Sequence, residues 1–552
     1  MNENITTVDT QKQKKVYGSP TQPPTAHQHV NVRFSPFWHD RLVEAGLILS
    51  MALYYVVNNP NIHIEHFSFT FPLFHNPLSS LPFLLIFAVL CWYRLPFAVA
   101  LLPLSLPYYL QQKVVFRHYE FSLVEITLAT CVLVALLQIL VQRQRWSYWP
   151  SFAQLRGRLG PFVLPVLLFS LMAAISIVIA FEHTFALRAF REEVFDPLVY
   201  VLLALTCLRT RQDTTRLVGA LIGTGSIISG LGLAQIVFFK NTLKLEDGVH
   251  RIYAVYGSAN SIGLLFDYVL PISFALLLAK VSSRLRLVAL ICCFPMLIVL
   301  YLTQSLGAWI AVALALLFVI AFSVRNRRIV LVGTVVLVGV LLVVTLVFRT
   351  QVVNLFVDHH ISTSGKGVHT VSTATKRVYL WESALHMIHD SPWLGYGMDN
   401  WLCHYSSNSI CSTRYHYWIE RDPVTHADTG LKYEPTLSHP HNIFLHVWVS
   451  IGVFGLLAFI AVIVLFFWLF SRIMRRLDST LYKGSEHLRW MTVGAGAAIL
   501  AALVQGQVDS AFLEQDLSFC FWILVAVLLL LRVHSETSWR GQARMLPEAT
   551  TI

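Results

Sequence analysis

The stretch Leu437-Ser-His-Pro-His-Asn-Ile-Phe-Leu-His-Val-Trp-Val-Ser-Ile-Gly-Val-Phe-Gly455 joins two parts of the chain that differ in character. A polar segment rich in titratable side chains precedes it, and a long apolar run begins at about His441. Pro440 suits the first turn of a helix. A histidine where a membrane helix meets water can accept and return a proton near neutral pH. The stretch therefore predicts a membrane helix with a His441-Asn442 pair at its aqueous end.

The composition of the 552 residues is that of a polytopic membrane protein. Hydrophobic residues make up 56% and charged residues 13%, with a mean hydropathy of +0.61, which excludes a soluble domain. Most of the apolar runs are near the length that spans a bilayer. They are 42–57, 80–93, 96–110, 122–141, 161–181, 194–208, 216–239, 261–280, 285–303, 306–323, 328–348, 441–470, 490–509 and 516–531. The second and third runs are short and nearly continuous, so we predict an all-α bundle of about 12–14 transmembrane helices.

The positions of Lys and Arg predict the orientation of these helices, since loops retained in the cytoplasm are enriched in positive charge. Basic residues gather before the first run and at later loops that would share one side of the bilayer. Examples are Lys12, Lys14, Lys15, Arg143, Arg145, Arg209, Arg211, Arg325, Arg472, Arg475, Arg476 and Arg532. Both termini are therefore predicted to lie in the cytoplasm. This asymmetry accounts for the net charge of +11, so no nucleic-acid partner is predicted.

The chain is expected to divide into five segments. Residues 1–41 are polar and lack the apolar core of a signal peptide, which predicts a disordered cytoplasmic tail. Transmembrane helices are predicted over 42–348 and again over 441–531. Between them, 349–440 would form a large extracytoplasmic loop containing amphipathic helices. Residues 532–552 would form a second cytoplasmic tail.

The cysteines indicate the redox environment of one loop only. Six of the eight lie in apolar runs, where a thiol is a small hydrophobe. They are Cys91, Cys131, Cys207, Cys292, Cys293 and Cys520. Cys403 and Cys411 lie in the predicted extracytoplasmic loop, where a disulfide can form. The sequence leaves open whether these two are bonded.

Two shorter predicted external segments carry arginines against the charge bias. Arg188 and Arg191 are three residues apart and would share a helical face. They could bind an anionic substrate or extend toward lipid headgroups. Arg251 lies nine residues before Asn260, and Gly257 between them permits a turn whose N–H groups approach an anion. A solvated arginine explains Arg251 equally well.

The polar segment 349–440 is far longer than an ordinary connection, which predicts a functional role. Ten of the 22 histidines fall in it or at its end. They are His359, His360, His369, His386, His389, His404, His416, His426, His439 and His441. This enrichment could indicate metal binding, but no HExxH or comparable zinc-site spacing occurs, so no metal site is predicted.

Within this segment, residues 375–392 predict an amphipathic helix that ends at a proline. The apolar positions of one face are Val378, Trp381, Leu385 and Ile388. Trp381 would anchor the helix at the bilayer interface. Arg377, one turn earlier on nearly the same face, would point over the mouth of the bundle. Gly395-Tyr-Gly397 then predicts a tight turn that folds the chain back over this opening.

Together these residues resemble the O-antigen ligase/polymerase family of bacterial membrane glycosyltransferases. The pattern is Arg377…Trp381…Pro392-Trp-Leu-Gly395-Tyr-Gly397, then His441-Asn442 followed after nine residues by Gly452-Val-Phe-Gly455. The ligase branch carries a His-Asn-x9-Gly-x-x-Gly signature, which this sequence matches at every fixed position. The resemblance covers roughly 190–530, including the Arg251…Asn260 segment. Leu306 departs from it, because many relatives carry an Arg there.

The resemblance implies transfer of a glycan from an undecaprenyl-diphosphate carrier to an acceptor hydroxyl, at the outer face of the cytoplasmic membrane. It implies no nucleotide sugar, no metal and no other cofactor. The partners would be the lipid-linked donor, a lipid or glycan acceptor, and membrane lipid. Without a metal, a departing diphosphate needs cationic side chains. Arg377 and Arg251 are the candidates, with Arg188 and Arg191 as second choices.

The remaining predicted roles also follow from the resemblance. His441 would act as general base on the acceptor hydroxyl, and attack opposite the diphosphate would invert the anomeric centre. Asn442, Asn260 and Trp381 are the candidate substrate-binding residues. A simpler role remains open for His441, which could merely cap a helix. We expect Gly452 and Gly455 to permit close helix packing. His439 is expected to be an ordinary polar side chain. Three acids at the outer ends of the last two helices could bind sugar hydroxyls or cap helices, and we expect capping: Asp509, Glu514 and Asp516.

Three other functions are compatible with parts of the sequence. A polysaccharide polymerase of the same family would use a second carrier-linked glycan as acceptor, and the motifs do not separate it from a ligase. A transporter or flippase would place charges within its helices and often show repeated halves, whereas charges here are few, such as Glu125 and Asp267. A histidine-rich metal sensor would bind zinc through 349–440.

Overall fold

The computed structural model describes residues 36–57, 77–108, 112–115, 119–141, 150–246, 249–324, 327–347, 353, 359–363, 366–370, 373–405, 419–421, 428–432, 439–478 and 486–543. Within these residues, ten helices are long and apolar enough to cross a membrane. The strands that the described ranges contain form four two-stranded antiparallel hairpins. The predicted all-α polytopic membrane fold is confirmed.

The α-helices of the described residues are α1 Pro36–Val56, α2 Leu81–Leu101, α3 Leu123–Val141, α4 Phe152–Leu159, α5 Val163–Ile179, α6 His183–Ala189, α7 Asp196–Cys207, α8 Arg211–Phe238, α9 Ala259–Leu278, α10 Ser283–Thr303, α11 Leu306–Ser323, α12 Arg327–Val347, α13 Thr373–Asp390, α14 Trp401–Tyr405, α15 Ile443–Leu477, α16 Glu486–Gln505 and α17 Gln515–Ala543. A π-helical segment, Phe190–Phe195, joins α6 to α7, and 3-10 segments span Pro77–Ser80, Leu102–Tyr108, Gly160–Phe162 and Lys240–Thr242. The hairpins pair β1 Lys113–Val115 with β2 Tyr119–Phe121, β3 Lys244–Glu246 with β4 Val249–Arg251, β5 His359–Thr363 with β6 Lys366–Thr370, and β7 Ile419–Arg421 with β8 Asp428–Lys432.

The apolar runs 80–93 and 96–110 form one kinked span instead of two helices. Helix α2 bends at Arg94, whose φ of −138° and ψ of 49° are not helical. Arg94 Nη2 donates to Oε1 of the buried Glu44 at 2.6 Å, and Arg216 Nη2 on α8 donates to the same oxygen at 2.5 Å. A buried carboxylate requires such partners, so this triad explains the arginine inside an apolar run.

Three helices, α9, α16 and α17, form the centre of the bundle. The buried share of their apolar windows is 78%, 72% and 89%, against 28% for α10. Small residues allow the close approach, since a Cβ on Gly263 would lie 2.7 Å from Cβ of Ala308 on α11. At one end of the bundle, α9, α11, α15 and α17 begin and α16 ends. We call this the site end.

Helix α15 is interrupted at Gly452, where φ is 73° and ψ is 179°. The interruption leaves backbone groups available to the segment that follows α13. The N–H groups of Tyr396 and Gly397 donate to α15 carbonyls, and the N–H of Val453 donates to the Pro392 carbonyl, at 2.7 to 3.0 Å. This segment is therefore fixed to the membrane helix by main-chain hydrogen bonds.

Glycine is required on both sides of this crossing. A Cβ on Gly452 would lie 2.0 Å from the carbonyl oxygen of Trp393, and a Cβ on Gly395 would lie 2.4 Å from the carbonyl oxygen of Val449. Both residues also have positive φ, which favours glycine. Gly452 was expected to permit close packing between helices. It instead permits two chain segments to cross.

Helix α13 confirms the predicted amphipathic helix, but its buried face differs from the prediction. Val378 and Leu385 are more than half exposed, at 51% and 54%. The buried apolar side chains are Leu380, Ala384, Met387 and Ile388. They pack with Trp401, Tyr405 and Val449, because the main-chain crossing fixes how α13 lies against α15.

Several predictions concern residues at the limits of the described chain. Cys403 is disulfide-bonded, while Cys411 lies outside the described residues. The six cysteines predicted in apolar helices are free thiols. Helix α17 continues to Ala543, past the boundary expected at 531. Residues 1–35 of the first predicted tail and 544–552 of the second lie outside the described residues.

We predict that Gly452→Ala lowers the thermal unfolding midpoint of the detergent-solubilised protein. The positive φ alone should cost about 1–3 kcal/mol, and the methyl would collide with the Trp393 carbonyl. Gly230→Ala on α8 is the matched control, because a Cβ there meets nothing within 4 Å and helical Ala is preferred to Gly. Equal unfolding midpoints for Gly452→Ala and Gly230→Ala would contradict the requirement for glycine at the crossing.

Candidate active site

The turn between α16 and α17, residues 506–511, binds groups from three other parts of the chain. We call it the α16–α17 turn. Its hydrogen bonds, donor first, are Ile443 N to Gly506 O at 2.7 Å, Asn442 Nδ2 to Gln507 O at 3.1 Å, Arg377 Nε to Val508 O at 2.5 Å and Tyr268 Oη to Ala511 O at 2.5 Å. The turn thereby holds the start of α15, the start of α13 and the middle of α9 together at the site end.

His441 and Asp509 form a hydrogen-bonded pair across this turn. Nδ1 of His441 lies 2.7 Å from Oδ1 of Asp509. Asp509 is buried, with 5% of its side chain exposed, whereas His441 keeps 14% exposed. The imidazole is therefore the more accessible member, and the carboxylate lies behind it.

The electrostatics of the turn keep Asp509 ionised. Burial opposes the charge, but the His441 imidazole and its hydrogen bond outweigh burial. With further help from His439 and Arg377, they hold the pKa of the Asp509 carboxyl below its usual range. An ionised carboxylate accepts the Nδ1 proton, which leaves the Nε2 lone pair of His441 to accept another proton.

His439 lies beside the pair and is predicted to be neutral. Burial lowers the pKa of His439 well below its usual range, and the neighbouring His441 lowers it further. Its Nδ1 accepts the His441 backbone N–H at 3.3 Å, and its Nε2 lies 3.8 Å from Oε1 of Glu514. His439 therefore supports the backbone of His441, which corrects the expectation of an ordinary polar side chain.

The backbone places His441 just outside the helix. Helix α15 starts at Ile443, and Asn442 is its N-cap, accepting from the N–H groups of Phe444 and Leu445 at 3.0 and 3.1 Å. His441 has a φ of 50°, a left-handed conformation that is uncommon for a residue with a side chain. Asn442, not His441, has the capping role.

Arg377 and Trp381 on α13 both lie at this pair. Arg377 donates to the carbonyl that precedes Asp509, and its charge acts on the pKa of both Asp509 and His439. Trp381 Nε1 donates to the carbonyl of His441 at 3.4 Å. The structure therefore brings Arg377, Trp381, His441 and Asn442 together, as the sequence predicts.

Arg251 and Asn260 lie on the neighbouring side of the turn. Arg251 donates from Nη2 to Oδ1 of Asn260 at 2.8 Å and from Nε to the carbonyl of Thr303 at 2.7 Å. Thr303 ends α10, and a Cβ on Gly307 at the start of α11 would lie 3.2 Å from the Val508 side chain. Asn260 thus orients the guanidinium, and the α10–α11 hairpin links Arg251 to the turn.

Arg188 and Arg191 belong to a separate cluster. Arg191 lies 2.7 Å from Oε1 of Glu125 on α3 and 2.9 Å from Oε1 of Glu192. Arg188 Nε donates to the same Glu192 oxygen at 3.1 Å and keeps 51% of its side chain exposed. Arg191 is already paired with the carboxylates of Glu125 and Glu192. Its charge stabilises the buried carboxylate of Glu125. Arg188 is the better placed of the two for a ligand.

One set of side chains could hold a metal ion in the described part of the chain. His439, His441 and Asp509 offer ligand atoms that lie within 4.8 Å of one another. Nδ1 of each histidine is already engaged in a hydrogen bond within the turn, which favours the base-and-carboxylate arrangement. The predicted absence of a metal remains a prediction for chelation to test.

The sequence did not predict the role of Asp509. The acid was expected to cap a helix, yet its carboxylate binds His441, a residue 68 positions away. His446, one turn into α15, binds the adjacent Ser510 through Nδ1 at 2.7 Å and was likewise unassigned. The sequence held one signal for this role, because Asp509 lies at the end of an apolar run, at the same predicted membrane face as His441.

Comparison with known proteins agrees with this site. Residues 291–460 match the family model described as O-antigen ligase, a segment that includes Arg377, His441 and Gly452 but neither Arg251 nor Asp509. The match is narrower than the region over which the motifs resemble that family. No curated protein matches the chain. The match supports assigning the chain to the O-antigen ligase family.

We predict that His439 makes the folded protein sensitive to mild acid. Because the pKa of His439 is lowered in the folded state, unfolded chains take up a proton below about pH 6.5 that folded chains do not. Stability from this residue is therefore present above that pH and lost as pH falls, at about 1 kcal/mol per pH unit. His439→Gln should flatten the fall of the unfolding midpoint between about pH 7.5 and about pH 5.5, with chelator present.

His386→Gln on the exposed face of α13 is the matched control, and its midpoint should follow the wild-type curve. A His439→Gln curve parallel to that of the wild type would contradict the neutral His439.

Proposed function

From its assignment to the O-antigen ligase family, we propose that this chain transfers a glycan from an undecaprenyl-diphosphate carrier to a hydroxyl group of an acceptor. The observation that carries the proposal is the 2.7 Å contact between Nδ1 of His441 and Oδ1 of Asp509, with Arg377 bound to the same turn. A base and a cation at one opening are the two groups that this transfer requires.

His441 acts as general base in the proposed reaction. Nε2 takes the proton of the acceptor hydroxyl while the oxygen forms a bond to the anomeric carbon. The bond from that carbon to the diphosphate breaks, and its electron pair goes to the departing oxygen. Asp509 orients the imidazole and stabilises the imidazolium that forms. Attack opposite the leaving group inverts the anomeric centre.

The arginines stabilise the leaving diphosphate. Charge develops on the departing oxygen, and a guanidinium can bind phosphate oxygens through two N–H groups. Arg377 lies at the His441–Asp509 pair. Asn260 orients Arg251, which binds the end of α10, and the start of α11 contacts the same α16–α17 turn. Arg188 could contact a more distant part of the glycan. In this scheme Asn442 and Trp381 position the base, through the α15 cap and the His441 carbonyl.

The proposed location is the bacterial cytoplasmic membrane, with the site end facing outward and both termini inward. Arg475 and Arg476 lie in the last turn of α15, at the opposite end of this helix from His441, as expected for residues next to a cytoplasmic loop. A lipid-linked donor would then meet the site at the membrane surface, without crossing the bundle.

A polymerase is the second candidate, because the chemistry at His441 is the same and only the acceptor differs. A transporter fits less well. Glu44 and Glu125, two acids within the bundle, are each paired with arginines, whereas transport requires charges that exchange partners. Product analysis separates the first two functions, since a polymerase lengthens the carrier-linked glycan and a ligase releases it from the carrier.

We predict that the purified protein transfers glycan from a carrier-diphosphate donor with chelator present. His441→Ala and Arg377→Ala should each reduce transfer by at least about a hundredfold, since a base or an oxyanion partner contributes about that much. The measurement is the initial rate of product formation in detergent. Lys376→Ala, which removes the adjacent charge on α13, is the control and should retain most activity. Normal turnover by His441→Ala would overturn the base assignment.

We also predict that Asp509→Asn lowers kcat by about 10²–10⁴ while the unfolding midpoint changes little. The amide keeps the shape of the carboxylate but cannot hold the imidazole with Nδ1 protonated or stabilise the imidazolium. Asp478→Asn, at the other end of α15, is the control for loss of one carboxylate. If kcat and KM change equally in Asp509→Asn and Asp478→Asn, Asp509 has no special role.

A further inference from the structure

An acidic residue in the centre of the bundle has no role in the mechanism described so far. Asp267 on α9 is fully buried, and neither of its carboxylate oxygens has a hydrogen-bond partner among the described residues. Gln505, the last residue of α16, is 1% exposed, and both atoms of its amide are likewise unpartnered. Unpartnered buried polar groups cost free energy, so two of them on adjacent helices call for a common explanation.

The Gln505 amide lies against the face of α9 that carries Gly263 and Asp267. Gly263 precedes Asp267 by one helical turn, so the two positions share a face and lie about 5–6 Å apart at Cβ. The Cβ position of Gly263 is 3.5 Å from Nε2 of Gln505 and 3.6 Å from Oγ of Ser305. Side chains in helices point toward the N-terminus, which directs Asp267 toward this same space. Glycine at 263 leaves that space open.

The charge state of Asp267 and the hydrogen-bonding groups near it indicate what the space between Asp267 and Gln505 holds. An ionised carboxylate without a cation is very costly in a membrane interior, whereas the neutral acid can both donate and accept a hydrogen bond. The Gln505 amide also donates and accepts. A water molecule needs two to four polar partners, and the Asp267 acid, the Gln505 amide and the Ser305 hydroxyl supply them.

We propose that uncharged Asp267 binds Gln505 through a buried water, and that this bridge positions the α16–α17 turn under His441. Gln505 directly precedes the turn, whose carbonyls hold Asn442 and Arg377 and whose carboxylate holds His441. Tyr268, the neighbour of Asp267, binds the far side of the turn at the Ala511 carbonyl. Helix α9 would thus support the turn at both of its ends, from two neighbouring faces. Asp267 is a positioning residue that does not touch substrate.

The inference rests on the proposed function for its rate measurements, and the experiment compares Asp267→Asn with Asp267→Leu. Asn keeps a donor and an acceptor and should retain kcat within about threefold, whereas Leu removes both and should lower kcat about tenfold to a hundredfold. KM for donor and acceptor should change little in either variant. Gln505→Leu should resemble Asp267→Leu, and the double variant should be no slower than the slower single variant.

Ser273→Ala, which removes another buried polar side chain from α9, is the matched control and should keep wild-type kcat. Amide hydrogen exchange supplies a measurement that does not depend on activity. Amides of 506–511 should exchange faster in Asp267→Leu and at the wild-type rate in Asp267→Asn. If a Leu variant does not fold, the Asn variant still decides the matter, because a positioning bridge requires it to be active.

Three results would overturn the inference. An Asp267→Asn variant as slow as Asp267→Leu would show that the ionised carboxylate is required. Dependence of wild-type activity on Na⁺ that Asp267→Asn abolishes would assign a cation site to this space. Normal kcat and normal exchange in Asp267→Leu would remove any positioning role. A wild-type protein without transfer activity would instead refute the proposed function, and the exchange measurement would still test the bridge.

Discussion

The organisation of this site depends on the hydrogen bonds of one short turn. Residues 506–511 give main-chain carbonyls to Ile443, Asn442 and Arg377 and a carboxylate to His441. The last carbonyls of α16 accept from N–H groups of the turn itself, so the carbonyls of Gly506, Gln507 and Val508 are left to bind other parts of the chain. Here their partners are Ile443, Asn442 and Arg377. Satisfying the carbonyls of the turn and assembling the candidate site are therefore one structural event.

The charges buried in this bundle follow a consistent rule. Glu44 is bound by two arginines, Glu125 lies against Arg191, and Asp509 is bound by His441. Removing a charge from water costs several kcal/mol, which a fixed partner offsets only with good geometry. The first two pairs join helices far from the base and have a structural role. Only the third pair includes an imidazole, a side chain that can act as a general base, which distinguishes the candidate site from the supporting ion pairs.

The glycine motif that resembles the O-antigen ligase family acquires a physical meaning in the structure. Gly452 and Gly395 allow two backbones to cross within hydrogen-bonding distance, which no residue with a side chain would permit. The crossing fixes α13 against α15 and thereby delivers Arg377 to the base. The motif residues thus act at a distance from the chemistry, through the placement of one helix.

The sequence by itself determined the membrane fold, the positions of most helices and the pairing of Arg377 with His441 through a shared motif. The fold and the helices follow from hydropathy, which is a local pattern. The pairing of Arg377 with His441 was expected from the family resemblance, because the two residues lie far apart in the chain. The tertiary structure alone decided that Arg94 bends α2 toward Glu44, which face of α13 is buried, and that Asp509 binds His441. Each of these depends on contacts between residues distant in sequence, and the free energy of such contacts cannot be read from spacing. The same reason explains why Arg191 is bound to Glu125, a residue of another helix.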